Sequence, residues 1–381
     1  MRLGPLLLLW CLCAPAQTIR RLDGSTITAE FAETFARQTL SKANVTGAQL
    51  AIVNDGRLVW SMAHGLRQRE PGLPMTPETT TWAASITKAV FATYVLQLVE
   101  RGEFDLDIPI ARQLRQPLSD YPEYKETASR LARHPDWPLI TSRMALSHTS
   151  GLNNLAVLAP DKKISFRFKP GARYGYSGEA LNLLQMLIEE QKGRPIDELM
   201  HESIFAPLGM TRTGMRFRPE FEANIADRFG DKGQFLAKTR RNARAAGSLT
   251  TTAEDLARFA AGLFENQLLR PETRRQLLAP AVSIRTVRQF QSAPQPEGLP
   301  AKQLGLAYGL GWGLLTKTKF GPAFFKEGHG DGAQTFLICF ERGQSCMILL
   351  TNSDNGEQTF RPLLETLFGN TVTPWEWHGY P

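Results

Sequence analysis

Ser85 and Lys88, three residues apart, are the pair in this sequence whose types and spacing most directly suggest chemistry. They form the chain's single S-x-x-K motif, Ser85-Ile86-Thr87-Lys88, at the start of a long apolar run. Residues three apart share one face of a helix, which puts Lys88 one turn behind the serine hydroxyl. Burial would lower the pKa of the Lys88 ammonium and leave an amine that accepts the serine proton. A helix-capping serine with a solvent-facing lysine is the alternative, which the apolar residues 89–91 disfavour.

Two glycine-containing segments could complete such a site. Tyr176-Ser177-Gly178 precedes a predicted helix, and a tyrosine hydroxyl beside a lysine can pass protons, although a loop tyrosine alone more often packs. In residues 327–332, Glu-Gly-His-Gly-Asp-Gly, the glycines let a substrate approach the backbone, and an N–H there could share an oxyanion hole with Ser85. His329 and Asp331 could instead belong to a metal site or a Ser-His-Asp triad, but no G-x-S-x-G elbow supports a triad.

The elements that must position these residues follow from hydrophobic periodicity and turn residues. Helical patterns cover residues 27–42, 84–101, 179–192, 252–264 and 357–368. Strand patterns cover residues 47–53, 57–62, 310–316, 335–340 and 345–350, the first two around an N-D-G turn. Strands thus occupy both ends of the chain, and mostly helices occupy residues 105–264.

This order predicts an α/β fold. The N- and C-terminal strands would form one antiparallel sheet flanked by helices, with a mostly helical lobe, about residues 105–264, inserted between them. A cleft at the seam between lobe and sheet is the expected place for a catalytic site. Trp375-Glu376-Trp377 near the end of the chain is expected to dock on the body.

The composition is that of a folded globular protein, with 42% hydrophobic and 21% charged residues among 381. The net charge of +7 is spread along the chain, so no nucleic-acid partner is expected. Residues 1–16 combine a basic start, an apolar run and Ala14-Pro15-Ala16, the layout of a secretory signal peptide; a buried N-terminal segment is the alternative. We expect an exported protein, periplasmic or secreted, with 17–381 as a single catalytic domain and no stable membrane insertion after cleavage.

Cys339 and Cys346 are the two cysteines that would remain after removal of residues 1–16. A tight turn between two antiparallel strands would pair Phe340 with Ser345 and so place Cys339 directly opposite Cys346. We predict a disulfide between them, with two buried free thiols as the alternative. No spacing of cysteine or histidine suggests zinc.

Taken in order, these segments resemble the β-lactamase-like serine hydrolases, a group with class C β-lactamases, D-Ala-D-Ala carboxypeptidases, D-aminopeptidases and related esterases. The pattern of that group is S-x-x-K, then Y-x-N, then K-T-G or H-x-G. The chain offers Ser85-Ile86-Thr87-Lys88, Tyr176-Ser177-Gly178 and His329-Gly330-Asp331. Framework segments at residues 146–152, 204–210 and 245–256 are also similar, and the resemblance extends from about residue 27 to residue 368.

The resemblance implies that Ser85 is acylated, that Lys88 and Tyr176 handle the proton, and that His329 lies on the strand edging the site. It assigns the oxyanion hole to the N–H groups of Ser85 and Gly332. It also implies a two-lobed α/β fold, no metal or organic cofactor, and a small-molecule or peptidoglycan-like substrate with an ester, amide or D-amino-acid peptide bond. We expect a monomer. His148, in a loop signature, is expected to tie that loop through hydrogen bonds to backbone.

Two departures from the pattern bear on the substrate. Gly178 stands where the β-lactamases have Asn, and His329 and Asp331 replace the Lys and Gly of K-T-G. Both changes remove contacts to a β-lactam and favour a small ester, unless an arginine from the basic stretch 238–244 supplies a cation. A penicillin-binding or sensor module that acylates with little turnover, and a true class C β-lactamase, are the alternatives.

Overall fold

The computed structural model describes residues 18–238, 242–290 and 302–380. The predicted signal peptide, part of the basic stretch 238–244 and most of a Pro- and Gln-rich segment after residue 290 lie outside these ranges. The strands are β1 (Thr18–Arg20), β2 (Thr26–Thr28), β3 (Gly47–Asn54), β4 (Arg57–Gln68), β5 (Leu73–Pro74), β6 (Thr81–Trp82), β7 (Arg228–Phe229), β8 (Phe235–Ala237), β9 (Thr250–Thr251), β10 (Val282–Ser283), β11 (Leu306–Tyr308), β12 (Gly313–Leu315), β13 (Ala323–Gly330), β14 (Ala333–Phe340) and β15 (Ser345–Thr351).

The helical elements comprise α-helices, 3-10 turns and π-helical turns. The α-helices are α1 (Ala29–Lys42), α2 (Thr87–Glu100), α3 (Ile110–Gln113), α4 (Ser142–Leu146), α5 (Glu179–Lys192), α6 (Ile196–Met200), α7 (Ala253–Phe264), α8 (Pro271–Leu277), α9 (Phe360–Leu363) and α10 (Trp375–His378). The 3-10 turns are Ala84–Ile86, Leu118–Asp120, Leu131–Arg133, Trp137–Leu139, Ala156–Leu158, Pro219–Asn224, Arg342–Gln344 and Asp354–Thr359, and π-helical turns are His201–Phe205 and Leu364–Phe368.

A nine-stranded antiparallel sheet runs in the order β10-β11-β12-β13-β14-β15-β3-β4-β5. The C-terminal strand β15 pairs with the N-terminal strand β3, with Leu349 opposite Leu50. Both ends of the chain therefore build one sheet, and the predicted α/β class with a common antiparallel sheet is confirmed. Residues 105–264, where we expected a mostly helical lobe, contain α3 to α7, several short helical turns and the short strands β7 to β9, joined by loops.

Side-chain alternation along the strands gives the sheet two apolar faces. On one face Leu337 and Ile348 join the cluster that contains α2, α5 and α7. On the other face Phe336 and Leu349 pack with α1 and the C-terminal helices. Because successive strand residues point to opposite faces, one strand can contribute to both layers. The sheet is thus covered on both sides, and α2 lies in its helical layer.

Local capping signals in the sequence are realised in the helices. The Thr28 side chain accepts a hydrogen bond from the Phe31 N–H at the start of α1, and Thr252 accepts from the Asp255 N–H at the start of α7. Helix α5 ends at Gly193, whose φ of 64° lies in the left-handed region that favours glycine. The predicted helix over residues 84–101 begins as the 3-10 turn Ala84–Ile86 and continues as α2.

The disulfide prediction holds in the structure. Phe340 pairs with Ser345, and Cys339 lies directly opposite Cys346 across β14 and β15. The two sulfur atoms are bonded, and both cysteines are fully buried. The tail also docks as expected, because Trp375 and Trp377 are both buried in the layer that covers β14.

Strand β13 lies where the hydrophobic pattern predicts no strand, between residues 316 and 335. It contains residues up to Gly330 and turns into β14 through Asp331-Gly332, so His329 lies on this strand, as the resemblance implied. Lys326 and Glu327 in the middle of β13 are only 0% and 1% exposed. Charged residues are depleted from strands, so this strand has a weak sequence signal.

The described residues contain no helix with the length and apolar character that a membrane span requires.

Candidate active site

Ser85 lies in the 3-10 turn that leads directly into α2. The preceding residue, Ala84, has a φ of 46°, a backbone conformation that non-glycine residues rarely adopt. Such outliers often occur where the backbone must present a functional side chain. Because Ser85 belongs to the first turn, its N–H has no intrahelical acceptor one turn behind it. The sequence thus folds into a turn that holds both the hydroxyl and the N–H of Ser85 beside the sheet.

Lys88 is one turn further along and is buried, with 2% of its surface exposed. Its Nζ donates to Ser85 Oγ at 2.9 Å, and it also donates to the backbone carbonyl of Ala246. Burial lowers the pKa of Lys88 well below its usual range, the Lys326 ammonium lowers it further, and the Glu327 carboxylate partly opposes this. A lysine in this environment can be a neutral amine and accept the proton of the adjacent serine.

Tyr176 comes from the loop that precedes α5. Its ring centroid is 4.8 Å from Lys88 Nζ, and only 4% of its surface is exposed. Burial raises the pKa of Tyr176 well above its usual range, Glu327 raises it further, and the Ser85 hydroxyl acts in the opposite direction. The phenol is therefore neutral at ordinary pH. The structure brings Ser85, Lys88 and Tyr176 together, the arrangement that their types and order suggested.

A second buried lysine, Lys326 of β13, was not among the residues selected from the sequence. Its Nζ lies 5.2 Å from the Tyr176 ring centroid and 2.6 Å from Glu327 Oε1. A signal was present, because Lys326-Glu327-Gly328 has the K-x-G spacing of the K-T-G motif. The resemblance placed that motif at His329, three residues later. The structure instead places Lys326 next to the tyrosine.

Gly328 packs against the turn that carries the serine. A Cβ atom on Gly328 would lie 2.9 Å from Ser85 N and 2.6 Å from Ala83 O. The hydroxyl of Thr335, its partner residue on β14, donates to the same Ala83 carbonyl at 3.1 Å. Only a residue without a side chain permits this contact between strand and turn.

The backbone N–H of His329 lies on the edge of β13 that faces away from β14. Gly330 and Ala333 close the two-residue turn between β13 and β14, so they exchange backbone hydrogen bonds. The alternation of an antiparallel ladder then turns the N–H of His329 away from β14. On that side β12 pairs only with residues 323–325 of β13 within the described part of the chain. The N–H groups of Ser85 and His329 are thus the pair that the fold offers to an oxyanion.

Gly332 does not take the oxyanion role that we expected from the resemblance. Its N–H donates to Asp354 Oδ1 at 2.5 Å, and a Cβ on it would lie 2.6 Å from Phe229 N. Asp331, in the same turn, has an exposed side chain, and its carbonyl accepts from Arg228 Nη1 at 2.8 Å. The turn residues therefore hold the hairpin in place and do not reach Ser85.

The His329 side chain lies behind the strand edge among aromatic residues. Its ring is 5.2 Å from Tyr380 and 5.8 Å from Phe290 between centroids, and its Nε2 is 3.7 Å from Glu357 Oε2. Burial lowers the pKa of His329, while Glu327 opposes that shift. The imidazole is thus neutral near pH 7 and supplies no fixed positive charge.

Gly178 begins α5 in a space that neighbours already fill. A Cβ on Gly178 would lie 2.8 Å from Leu155 Cδ2 and 3.3 Å from Asn154 Oδ1. Asn154 Oδ1 also accepts the Gly178 N–H at 3.0 Å. A side-chain amide from a different loop therefore lies beside Gly178, which has no side chain of its own.

Further hydrogen bonds support the base and the loop that carries Tyr176. Asn182 on α5 accepts the Ala246 N–H on its Oδ1 at 3.3 Å, and the Ala246 carbonyl accepts from Lys88. His148 is fully buried, and its Nδ1 accepts the Ser177 N–H at 3.2 Å, which agrees with its expected role in tying a loop. Burial lowers the pKa of His148 well below its usual range, so it is neutral.

The basic stretch 238–244 and the metal site considered for His329 and Asp331 are the other features that the sequence suggested. Lys238 and Arg244 of the basic stretch are exposed, whereas Arg240 and Arg241 lie outside the described residues. Across residues 18–238, 242–290 and 302–380, no group of three His, Cys, Asp or Glu side chains is placed to hold a metal ion.

Comparison with known proteins agrees with this geometry. The β-lactamase family profile matches residues 31–367. Esterase EstB of Burkholderia gladioli is 31% identical over 222 residues, which cover 51% of this chain and 53% of the esterase. A D-aminopeptidase of Brucella anthropi is 28% identical over 185 residues, covering 47% of this chain and 34% of that protein. The alignments thus span about half of the esterase and about a third of the D-aminopeptidase.

The fold has counterparts among solved structures. The octameric penicillin-binding protein homologue from Pyrococcus abyssi superposes with a TM-score of 0.72 at 21% identity, covering 92% of this chain and 79% of that one. At this identity the similarity shows a shared fold and nothing further. It agrees with the large antiparallel sheet flanked by helices described above.

Proposed function

The chain belongs to the β-lactamase family of serine hydrolases, and we propose that it hydrolyses small neutral esters through an acyl intermediate on Ser85. The observation that carries this proposal is the 2.9 Å hydrogen bond between Lys88 Nζ and Ser85 Oγ inside a buried site. A serine next to a neutral amine is an activated nucleophile, and acyl transfer is the reaction that such a pair supports.

The proposed reaction begins with transfer of the Ser85 hydroxyl proton to Lys88 Nζ as Oγ bonds to the carbonyl carbon. The electron pair of the C=O bond moves onto oxygen, where the N–H groups of Ser85 and His329 stabilise the charge. Collapse of this intermediate breaks the ester C–O bond, and the leaving alkoxide takes the proton from Lys88, directly or through the Tyr176 hydroxyl. Water then attacks the acyl-serine, with the same groups returning the proton to Oγ.

The charges around the nucleophile support a neutral substrate. The ammonium of Lys326 is bound to Glu327 and is 0% exposed, so it offers no free charge to a substrate carboxylate. The imidazole of His329 is neutral because burial lowers its pKa. Within the part of the chain that the structure describes, neither Lys326 nor His329 offers a free positive charge to the carboxylate of a β-lactam. A simple ester requires only the nucleophile, the base and the oxyanion donors.

Substrate preference is tested by measuring turnover of purified protein on 4-nitrophenyl butyrate, nitrocefin and D-alanine 4-nitroanilide. We expect kcat/KM for the ester to exceed that for nitrocefin by about 10² or more, equivalent to roughly 2.7 kcal/mol of transition-state binding. The Ser85→Ala variant is the matched control for background hydrolysis. Equal or better turnover of nitrocefin would falsify the ester proposal, and preference for the anilide would favour a D-aminopeptidase.

The second candidate function is that of a sensor or penicillin-binding module, which is acylated with little turnover. It must be distinguished from ester hydrolysis. Burst kinetics distinguish the two, because a sensor would release one product equivalent per chain and then stop. We expect continued linear release after any burst. The name of esterase EstB supports this expectation, since that relative is described as an esterase.

We also propose that the protein is exported and acts as a monomer. Support for export comes from the signal-like residues 1–16 and from the buried disulfide, a bond typical of oxidising compartments. Fractionation of expressing cells and N-terminal sequencing of the mature chain test the first point, and light scattering tests the second. Because one structural neighbour is octameric, a larger assembly is the outcome that would overturn the monomer.

A further inference from the structure

Two lysines share the ring of one tyrosine at the proposed site. Lys88 Nζ lies 4.8 Å and Lys326 Nζ 5.2 Å from the Tyr176 ring centroid. The two side chains are 2% and 0% exposed. Two ammonium ions beside the same ring, both removed from water, would repel each other and lose their hydration. Such a pair is stable only if one lysine is neutral or a carboxylate compensates the charge.

The carboxylate contacts one lysine and not the other. Glu327 Oε1 is 2.6 Å from Lys326 Nζ, which also donates to the Glu327 carbonyl at 3.2 Å. Lys88 Nζ instead donates to two uncharged acceptors, Ser85 Oγ and the Ala246 carbonyl. Within the three described ranges Lys88 forms no ion pair. The hydrogen bonding is therefore asymmetric although the two lysines are equally buried.

We propose that Glu327 is a positioning residue that fixes which lysine carries the charge: it holds Lys326 as the ammonium ion and leaves Lys88 as the neutral amine that accepts the Ser85 proton. This proposal rests on the function proposed above and adds a residue to which we have so far given no role. In the catalytic cycle Lys88 gains one proton from Ser85 Oγ and returns one to the leaving group. The pair Lys326–Glu327 exchanges no proton and keeps its net charge of zero.

The strand places Glu327 where it can act without blocking the substrate. Lys326 and Gly328, two residues apart, leave β13 on the face towards Ser85, and Glu327 leaves it on the opposite face. There its Oε1 accepts from Gln289 Nε2, while its Oε2 has no hydrogen-bond partner among the described residues. The carboxylate thus reaches the Lys326 ammonium from behind the sheet.

The ionisation of these groups agrees with the assignment. Burial alone would raise the pKa of Glu327, but the Lys326 ammonium, with His378 and Gln289, lowers it to about 2. Burial lowers the pKa of Lys326, and Glu327 raises it again. The Lys326 ammonium in turn lowers the pKa of Lys88, and this effect is larger than the opposing effect of the Glu327 carboxylate, which raises the pKa of Lys88.

Other titratable groups face this cluster from the neighbouring elements. They are Tyr174, Tyr176, Tyr308, Tyr380, His148, His329 and His378, with Arg167 and Glu357 farther out. Burial raises the pKa of each tyrosine and lowers the pKa of each histidine, so all seven are neutral near pH 7. None of them competes with Glu327 for the charge of Lys326.

The test is the pH profile of the Glu327→Gln variant with 4-nitrophenyl butyrate. Without the carboxylate, burial favours the neutral form of Lys326, so Lys88 loses the repulsion of the Lys326 ammonium together with the smaller attraction of Glu327. Lys88, which keeps two acceptors, then holds the proton. Activity then requires removal of that proton, so the pH at which kcat/KM of the variant rises is higher by about 1 unit or more. At pH values above the rising limbs of both proteins, the kcat/KM of the variant should stay within about threefold of that of the unmodified protein. A variant whose rate falls equally at every pH, with an unmoved limb, would assign Glu327 a structural role and overturn the proposal.

Two further variants keep the test decisive. Glu357→Gln is the matched control, because it removes a carboxylate that lies beside His329 and contacts neither lysine. The rising limb of its pH–rate profile should coincide with that of the unmodified protein. Should Glu327→Gln fail to fold, Lys326→Met removes the repelling charge on Lys88 and should move the limb in the same upward direction; no shift there overturns the proposal. All these pH profiles measure ester turnover that depends on Ser85. Activity that remains in Ser85→Ala would therefore show that the proposed function itself has failed.

Discussion

The space that a Cβ atom on Gly328 would occupy lies 2.9 Å from the backbone nitrogen of Ser85. Strand β13 therefore packs against the turn that carries the nucleophile, with no side chain between them. The contact sets the distance between the Ser85 N–H and the His329 N–H, the next donor along the strand. Oxyanion stabilisation depends on such fixed distances, since donors must point at the position that the charged oxygen will occupy.

Gly328→Ala should therefore reduce kcat/KM by about 10² or more. The new methyl group would meet Thr335 Oγ1 at 2.4 Å and Ala83 O at 2.6 Å, so the strand must move away from the turn. Gly247→Ala is the matched control, because its methyl group would approach Ala84 no closer than 3.6 Å, an ordinary contact. Kinetics and thermal unfolding of both variants check this, and a fully active Gly328→Ala protein would contradict the packing argument.

Lys88→Met should lower kcat by about 10² or more through loss of the base. In the unmodified protein Lys88 must be neutral to act, so kcat/KM falls as pH decreases through its pKa. Because burial and Lys326 lower that pKa, the rising limb should lie well below 10.5, the ordinary value for lysine. A pH–rate profile measures the limb, and a limb near pH 10.5, or one that persists unchanged in Lys88→Met, would assign the titration to another group.

The disulfide should contribute to stability without affecting catalysis. Cys339 and Cys346 are separated by 7 positions, and closing so short a loop stabilises the fold by about 2 kcal/mol. Replacing both by alanine should lower the free energy of unfolding by that amount, measured by urea titration, with kcat/KM retained. Peptide mapping without reduction should recover the two cysteines in one linked peptide; two free thiols at these positions would refute the bond.

The sequence could predict those parts of the site that depend on spacing within one element. Ser85 and Lys88 are three residues apart on one helical turn, and their contact follows from helix geometry. The pairing of Cys339 with Cys346 likewise follows from counting outwards from a tight turn. Tyr176 required the resemblance, since a loop tyrosine carries no pattern of its own.

What the sequence could not predict depends on contacts between distant segments. Lys326 and Glu327 have the composition of a loop, and their burial is possible only because each compensates the charge of the other. The Gly332 N–H donates to Asp354, which is 22 residues away in the sequence. The amide beside Gly178 comes from Asn154, 24 residues earlier in the chain. Each of these required the tertiary structure.

The central claim, that Ser85 is the nucleophile, is tested most directly by locating a covalent adduct. Purified protein is treated with a fluorophosphonate, and intact mass spectrometry is followed by peptide mapping, with Ser85→Ala in parallel and thermal unfolding to verify its fold. We predict one adduct per chain, on Ser85, with loss of turnover in proportion to labelling and neither adduct nor turnover in the variant. An adduct on another residue, or a folded Ser85→Ala protein that still labels and hydrolyses ester, would contradict the account.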